Sequence, residues 1–225
     1  MELWGKFLKI HLVNKSPEHL PLIFQFIHYA GKGFSMLDEK VRDEIRGFIN
    51  TNQHENGGFT GKSGRPDLYY SLFGVWLAKG LGLNDVLEKH RNFILHQKTD
   101  FNNLVSFFAF HLINSLLFSP DFSKPSLWVL VKKVLKQDSS TSFFYRLFFF
   151  FLALETFYPR RIFFVLIRRI LIFYRPSTDS PCSIQAAYAL AGLQVGIKTR
   201  REEEKLFSFY EENRGFKPFS DHDRS

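Results

Sequence analysis

Residues 69–83 read YYSLFGVWLAKGLGL, and residues 183–197 read SIQAAYALAGLQVGI. Each stretch combines small, aromatic and aliphatic residues without a polar face, and each closes on a glycine followed by an aliphatic residue. A glycine just past the last turn of a helix commonly takes the left-handed conformation that ends it. The two stretches therefore predict two buried helices that end in the same way, and so an internal repeat.

A second similarity supports the repeat. Residues 48–59 (FINTNQHENGGF) and residues 212–216 (ENRGF) both combine glutamate and asparagine with a closing Gly-Phe. The Phe-rich segments 107–118 and 143–157 fit the same place in degenerate copies. These patterns predict stacked helical hairpins, each with one buried and one more polar helix. An irregular helical bundle with two chance similarities is the alternative that the sequence leaves open.

Helical patterns recur along the remaining chain, whereas alternating strand patterns are scarce. No linker or low-complexity block interrupts them, so we expect one all-α domain over residues 1–225. A helix start is predicted at Ser16 and Pro17. Glycines are predicted to mark helix ends at positions 31, 57, 58, 82 and 215. The predicted helices cover residues 17–30, 36–52, 67–81, 84–97, 102–118, 124–136, 140–157, 160–174, 181–196 and 200–212.

Composition narrows the choice of partner and compartment. The 225 residues carry a formal net charge of +8, which favours an anionic partner. No nucleic-acid-binding module is recognisable, so we expect no nucleic acid. The single cysteine, Cys182, excludes a disulfide framework and fits a reducing compartment. Neither a signal peptide nor a spanning segment of ~18 apolar residues is evident, which predicts a cytoplasmic protein, or one bound peripherally to a membrane.

Residues 160–175 (RRIFFVLIRRILIFYR) form a basic and apolar segment. Seven-residue spacing places Arg161, Arg168 and Arg175 on one side of a helix. The opposite side is predicted to face the core and carries Ile162, Phe163, Leu166, Ile170 and Phe173. One interpretation is an outer helix whose basic face lies in water, and the other is contact of the three arginines with an anionic membrane surface.

Residues 53–82 (QHENGGFTGKSGRPDLYYSLFGVWLAKGLG) place a Q-x-x-x-G-G-F segment, a basic loop and a Pro-Asp pair before an aromatic helix. This order resembles a repeat of the protein prenyltransferase β-subunits, which the terpene cyclases such as squalene–hopene cyclase share. The resemblance is specific over this segment and weaker over residues 181–219. It implies an α/α toroid, a double ring of helical hairpins around an aromatic-lined centre that holds an isoprenoid chain. In a chain with ten helices, this ring can be open or incomplete.

The same resemblance implies roles for residues around the basic loop. Lys62 and Arg65 would face the diphosphate of an isoprenoid donor, although a solvated loop also explains them. Asp67 matches the first ligand of a D-x-C zinc pair and is the candidate catalytic residue, with a helix cap as the alternative. Tyr69 and Tyr70 are candidate substrate-binding phenols, with core packing as the alternative.

The departures from the family shape the functional hypothesis. Tyr69 stands where the zinc-binding cysteine would be, and no later D-x-F-H-type segment supplies a histidine. The acidic motifs of the cyclases are missing as well; the nearest stretch is residues 179–185. We therefore predict no bound metal, no cofactor and no prenyl transfer to a peptide cysteine. The sequence predicts an isoprenoid- or lipid-handling protein, and the alternative is a non-catalytic helical scaffold that binds a protein partner.

Overall fold

The computed structural model of the chain describes residues 20–61, 63–97, 101, 103–119, 121–135, 143–158, 161–177, 179–211 and 215–217. Ten α-helices and one short hairpin lie in this part of the chain, so the predicted all-α class is confirmed. The helices are α1 Leu22–Ser35, α2 Glu39–Thr51, α3 Leu68–Gly80, α4 Asn84–Leu95, α5 Leu104–Leu117, α6 Leu127–Leu135, α7 Phe143–Phe157, α8 Arg161–Phe173, α9 Cys182–Gln194 and α10 Arg200–Phe207. The strands are β1 Tyr210–Glu211 and β2 Gly215–Phe216.

The chain divides into two compact units. The first contains the described residues up to Leu130 together with Glu155–Phe157, and the second contains Val131–Leu154 and the described residues from Tyr158 onward. The prediction of a single domain over the whole chain stays a prediction.

Helix α3 lies at the centre of the first unit and packs against α1, α4 and α5. Leu72, Val75 and Ala78 are fully buried, and so is Leu112 on the facing helix α5. A helix surrounded on several sides needs apolar residues around most of its circumference, which explains why α3 has no polar face. Burial of each large apolar side chain stabilises the fold by about 1.5–3 kcal/mol.

Gly31 lies inside α1, so the prediction that it ends a helix is wrong. A Cβ atom on Gly31 would lie 2.6 Å from the carbonyl oxygen of Gly80, at the end of α3. The glycine is therefore needed for the close approach of two helices, and α1 continues to Ser35. The helix start predicted at Ser16 and Pro17 lies outside the described residues.

The C-terminal end of α5 receives its positive charge from other helices. Lys79 Nζ donates a 2.7 Å hydrogen bond to the carbonyl of Leu116, and Arg91 donates to that of Leu117 at 3.3 Å. Cations stabilise the last carbonyls of a helix because these carry partial negative charge. Burial, and then the nearby charge of Arg91, lower the pKa of Lys79.

In the second unit, α9 packs against α8 and α10. Tyr188 is buried, and its hydroxyl donates a 2.9 Å hydrogen bond to the carbonyl of Leu171. Glu202, at 3% exposure, accepts two hydrogen bonds from Arg175, at 2.5 and 2.9 Å. This two-point pair connects the segment after α8 to α10.

The two helices that the sequence pairs end with the same local geometry, whereas the internal repeat itself stays a prediction. Gly82 after α3 and Gly196 after α9 have φ angles of +71° and +72°. In both places the next residue donates a 2.8 Å bond to a carbonyl five positions back, from Leu83 to Ala78 and from Ile197 to Gly192. This pattern is the Schellman form of helix ending, in which glycine avoids the strain of a left-handed backbone.

The second predicted similarity also has matching backbone geometry. Gln53 pairs with Phe59 in an antiparallel bridge after α2, and Tyr210 pairs with Phe216 after α10. The flanking hydrogen bonds match too, from Thr60 to Asn52 at 2.9 Å and from Lys217 to Phe209 at 2.8 Å. Because the chain enters this hairpin, α10 ends at Phe207, before the predicted limit at residue 212.

Helix α8 is oriented differently from the prediction. Leu166 and Phe173 were expected in the core but are 49% and 80% exposed, whereas Ile167 and Leu171 are buried at 1% exposure each. Apolar residues occur around most of this helix, so its sequence does not single out a core face. None of the helices in the described ranges combines the length and apolar composition needed to cross a bilayer.

Candidate functional site

A pocket of about 360 Å³ opens on the first unit between the end of α2, the loop after it and one face of α3. Its volume lies within the ~300–1,000 Å³ common for small-molecule sites. Most of the lining is aromatic or aliphatic. The lining residues are Phe48, Ile49, Asn52, Phe59, Thr60, Gly61, Tyr70, Phe73, Gly74 and Leu77.

Two glycines make room for the aromatic rings of this pocket. A Cβ atom on Gly74 would lie 2.4 Å from the ring of Phe59, and one on Gly61 would lie 2.1 Å from the ring of Tyr70. Phe59 therefore packs directly on the backbone of α3 and is 4% exposed. Because glycine has no side chain, the ring of Phe59 can pack at Gly74 and the ring of Tyr70 can pack at Gly61. Both rings line the pocket.

A few polar atoms interrupt the apolar lining. The Asn52 amide nitrogen donates to the carbonyl of Phe48 at 2.8 Å, and the Thr60 hydroxyl donates to the carbonyl of Asn52 at 3.2 Å. Among the described residues, no partner engages the Tyr70 hydroxyl, and Tyr70 is 43% exposed. An apolar cleft with few polar groups suits a ligand that is mostly hydrocarbon.

Asp67 caps α3. Its Oδ1 accepts hydrogen bonds from the backbone N–H groups of Tyr69 and Tyr70, at 2.7 and 3.2 Å. A carboxylate at this position satisfies two unpaired backbone donors and the positive end of the helix. The side chain is exposed and does not line the pocket. Its candidate catalytic role stays a prediction.

The two candidate tyrosines have different positions. Tyr70 lines the pocket, whereas the half-buried Tyr69 is outside its lining. The ring of Tyr69 makes edge contacts with those of Tyr70 and Phe73, at centroid distances of 5.5 and 4.9 Å. Tyr69 thus packs against two rings that line the pocket, and Tyr70 is the tyrosine that can contact a ligand directly.

The basic loop adjoins the pocket through Gly61. The backbone N–H of Gly64 donates to the Gly61 carbonyl at 3.0 Å, and Thr60 pairs with Pro66, so the loop is a closed turn. Arg65 in this turn is exposed, and within the described ranges its guanidinium has no ion-pair partner. Lys62, the other predicted diphosphate-binding residue, lies outside the described residues.

The Q-x-x-x-G-G-F segment has a structural role beside the pocket. Gln53 Nε2 donates to the carbonyls of Gly57 and Val86, at 3.0 and 2.9 Å. The buried His90 donates from Nδ1 to the same Gly57 carbonyl at 2.8 Å. Gly57 has a φ of +92°, and a Cβ there would lie 2.2 Å from the carbonyl oxygen of Lys89. These contacts fix the loop that positions Phe59.

Of the residues that line the pocket, only Tyr70 is among the candidate site residues predicted from the sequence. Phe73 and Leu77 lie three and seven positions after Tyr70 on α3, and all three are about 40% exposed. An aromatic and aliphatic stripe at this spacing on an otherwise buried helix was the signal that could have found them. Phe48 and Asn52, four residues apart at the end of α2, form the facing wall.

Within the described ranges, no three His, Cys, Asp or Glu side chains lie close enough together to hold a metal ion. The half-buried Cys182 is in the second unit, where burial raises the pKa of its thiol. The absence of zinc stays a prediction that elemental analysis can test.

Comparison of the chain with models of known protein families, with curated proteins and with solved structures gives no significant match. The resemblance to prenyltransferases and terpene cyclases therefore depends on the motif of residues 53–82 and on the paired helices.

Proposed function

We propose that the first-unit pocket binds an isoprenoid chain or a similar slender lipid. The single observation that carries this proposal is the 360 Å³ cleft walled by Phe48, Phe59, Tyr70, Phe73 and Leu77. A flexible hydrocarbon chain gains most of its binding free energy from transfer out of water, and aromatic walls provide large contact areas for it. The α/α toroid, a finer description than the all-α fold, belongs to this proposal.

Arg65 and Lys62 supply charge for an anionic end group. Arg65 lies in the closed turn that begins at Gly61, which also lines the pocket, and Lys62 follows Gly61 in the sequence. An exposed cation beside an apolar cleft suits a ligand with a hydrocarbon tail and a diphosphate head. Tyr70 is positioned to donate a hydrogen bond from its hydroxyl to an oxygen of that head group.

The proposal is for binding, without a zinc-dependent transfer reaction. Asp67 uses one carboxylate oxygen for two backbone hydrogen bonds at the start of α3. Tyr69 stands in the place of the family's thiolate ligand, and a neutral phenol is a poor zinc ligand at neutral pH. Any transferred group would therefore need an activation that the residues around Asp67 do not provide.

Thermal unfolding with farnesyl diphosphate, farnesol and inorganic diphosphate tests the proposal. At 100-fold excess over its dissociation constant, a ligand of the folded state adds about 2.7 kcal/mol, so farnesyl diphosphate is expected to raise Tm by several degrees. Leu77→Trp fills the pocket and should abolish the shift. Its control is Leu95→Trp at another exposed helical leucine, which should retain the shift. Equal shifts in the two variants would refute the proposed pocket.

A second comparison isolates the charged end. The double variant Lys62→Ala with Arg65→Ala should lose the preference for farnesyl diphosphate over farnesol. The control, Lys40→Ala with Lys89→Ala, removes the same charge from exposed helical sites in α2 and α4 and should keep that preference. An unchanged preference in the first double variant would remove the diphosphate site and leave only the apolar pocket.

One observation favours the alternative of a non-catalytic scaffold. The Phe-rich helices bury their rings in the protein: Phe108 and Phe151 are fully buried, and Phe107, Phe110 and Phe149 are at most 7% exposed. Rings used for packing do not line a central cavity. Native mass spectrometry of the purified chain separates the two functions, because a co-purifying lipid favours binding. Its absence, together with no Tm shift, favours a scaffold.

A further inference from the structure

Helix α8 presents large apolar side chains and arginines together on one exposed face. Val165, Leu166, Ile172 and Phe173 are 52%, 49%, 59% and 80% exposed. Arg168 and Arg169 are exposed as well. We call these six residues the α8 face. Isolated exposed apolar residues are ordinary on a protein surface, but four on 13 residues of one helix form a patch.

The six side chains occupy one continuous sector of the helix. At about 100° per residue, they span an arc of about 160° opposite the buried Ile167 and Leu171. Arg168 lies at one edge of this arc, and Arg169 lies in its middle between the apolar residues. The face is therefore one surface of mixed chemistry, because its charged and apolar residues do not segregate to opposite sides.

The charge of this region has one sign. Residues 156–178 contain five arginines and no aspartate or glutamate. Arg175 lies beyond the end of α8, where Glu202 neutralises it. Within the described ranges, neither Arg168 nor Arg169 has an ion-pair partner, and the side chain of Arg161 lies outside the described part. Two exposed, uncompensated cations thus belong to the α8 face.

We propose that the α8 face lies on an anionic lipid bilayer, with α8 parallel to the membrane plane. Leu166, Phe173 and their apolar neighbours enter the boundary between headgroups and acyl chains, as in interfacial helices. Arg168 and Arg169 extend their guanidinium groups to lipid phosphates. A planar guanidinium suits a phosphate because it can donate several hydrogen bonds to it. A surface of this mixed chemistry matches an interface in which phosphates and hydrocarbon lie within a few ångströms of each other.

Charge complementarity selects the bilayer over a second copy of this chain. A symmetric dimer through α8 would bring Arg168 and Arg169 of two copies together, and the segment offers no acidic residue to compensate them. Like charges enclosed in an apolar interface are unfavourable. Lipid phosphates provide the missing negative charge. This membrane surface lies in the second unit, and its test is independent of the pocket proposed in the first.

Sedimentation with vesicles tests the proposal on the full chain. The wild type should bind vesicles of phosphatidylcholine with 30% phosphatidylserine and should bind pure phosphatidylcholine at least tenfold more weakly. Arg168→Gln with Arg169→Gln should weaken binding to the anionic vesicles about thirtyfold, the loss expected for two surface cations. Leu166→Ser with Phe173→Ser should weaken it by a similar factor, with little change in its salt dependence.

Matched controls lie in the same unit. Arg200→Gln with Arg201→Gln removes the same charge from exposed positions of α10, and Leu193→Ser with Phe207→Ser removes exposed apolar residues outside α8. Both should bind as the wild type does, and circular dichroism verifies that each variant is folded. Failure of the wild type to bind anionic vesicles would overturn the proposal. Binding to polyglutamate in place of the vesicles would do so as well, because it would indicate an acidic protein partner. Equal binding by the α8 and control variants would do the same.

Discussion

The carboxylate of Glu155 and the backbone N–H of Leu22 form a buried hydrogen bond of 2.8 Å between residues 133 positions apart in the chain. Leu22 is the first residue of α1, so its N–H has no partner within the helix. Glu155, at 5% exposure, satisfies it from α7 within the first unit. Burial raises the pKa of Glu155 from 4.5 to about 7, although the hydrogen bond from Leu22 lowers it in part.

This raised pKa predicts a loss of stability as pH increases. Between pH 4.5 and 7 the folded state retains a proton that the unfolded chain has released, so the stability contributed by Glu155 is full below pH 4.5 and falls by about 3 kcal/mol as pH rises through 7. Glu155→Gln keeps an acceptor for Leu22 and removes this dependence. In urea denaturation, its stability relative to the wild type should increase from pH 5 to pH 8. The exposed control Glu44→Gln should show no such trend, and parallel profiles for both variants would contradict the prediction.

His90 predicts the opposite pH dependence. Burial lowers its pKa from 6.5 to about 4, and its hydrogen bond to Gly57 offsets part of that shift. The unfolded chain binds a proton between pH 6.5 and 4 that the folded state excludes, so this group destabilises the fold by about 3 kcal/mol as pH falls through that range. His90→Asn retains a donor for Gly57 and should remove this loss, so its stability relative to the wild type should be higher at pH 4.5 than at pH 6.5, measured by urea denaturation.

The exposed control His96→Asn should retain the wild-type pH profile. Because the effects of Glu155 and His90 oppose each other between pH 4.5 and 6.5, the wild-type stability is expected to change little there. Each single variant should then expose the slope of the remaining group. A wild type with a steep slope that neither variant changes would contradict both assignments.

Gly74 is predicted to be intolerant of alanine. A Cβ atom would lie 2.4 Å from the ring of Phe59, which packs on this position of α3. Gly74→Ala should therefore cost about 1–3 kcal/mol, as overpacked core sites do. The control is Gly47→Ala in α2, where the added Cβ would meet no atom within 4 Å beyond its own helix backbone and chain neighbours, and alanine should stabilise the helix by about 0.5–1 kcal/mol. Urea denaturation of both variants checks the prediction. The free energy of unfolding should decrease in Gly74→Ala and increase in Gly47→Ala.

The pair of Arg175 and Glu202 is predicted to stabilise the second unit. Removal of Arg175 deprives Glu202, which is 3% exposed in the intact pair, of the cation that donates two hydrogen bonds to it, and Arg175→Ala should cost about 1–3 kcal/mol. The control pair, Arg200 and Glu204, is solvent-exposed, so Arg200→Ala should cost less than about 0.5 kcal/mol. Thermal unfolding of both variants provides the measurement. Equal losses would show that burial of Glu202 does not determine the cost.

Asp67 is predicted to act as a helix cap and not as a zinc ligand. Asp67→Ala should cost about 1 kcal/mol, and Asp67→Asn should restore most of it, because an amide oxygen also accepts from the N–H groups of Tyr69 and Tyr70. The comparable variant at the cap of α2, Asp38→Ala, should cost a similar amount. Elemental analysis of protein purified without chelator should find no stoichiometric zinc. About one zinc per chain, lost in Asp67→Ala, would restore the metal-dependent transferase hypothesis.

Local features of this fold could be predicted from the sequence, because short segments determine them. The helix ends at Gly82 and Gly196 and the cap at Asp67 depend on bonds within six residues. Gly31, like Gly82, is predicted from the sequence to end a helix, but its role depends on Gly80 of another helix. The contact of Glu155 with Leu22 and the core face of α8 depend likewise on distant partners. The pocket was missed for the same reason, since its walls come from α2, a loop and α3.

The charges that Lys79 and Arg91 supply to α5 have a consequence for synthesis of the chain. Residues 101–120 contain no aspartate, glutamate, lysine or arginine, so this segment leaves the ribosome as an uncharged, Phe-rich and aggregation-prone stretch. Helices α3 and α4 precede it, and by then they can already form the hairpin that carries both cations. We therefore expect the order of synthesis to protect this segment, because the helices it packs against are made first, and a permuted chain that made α5 first should lose that protection.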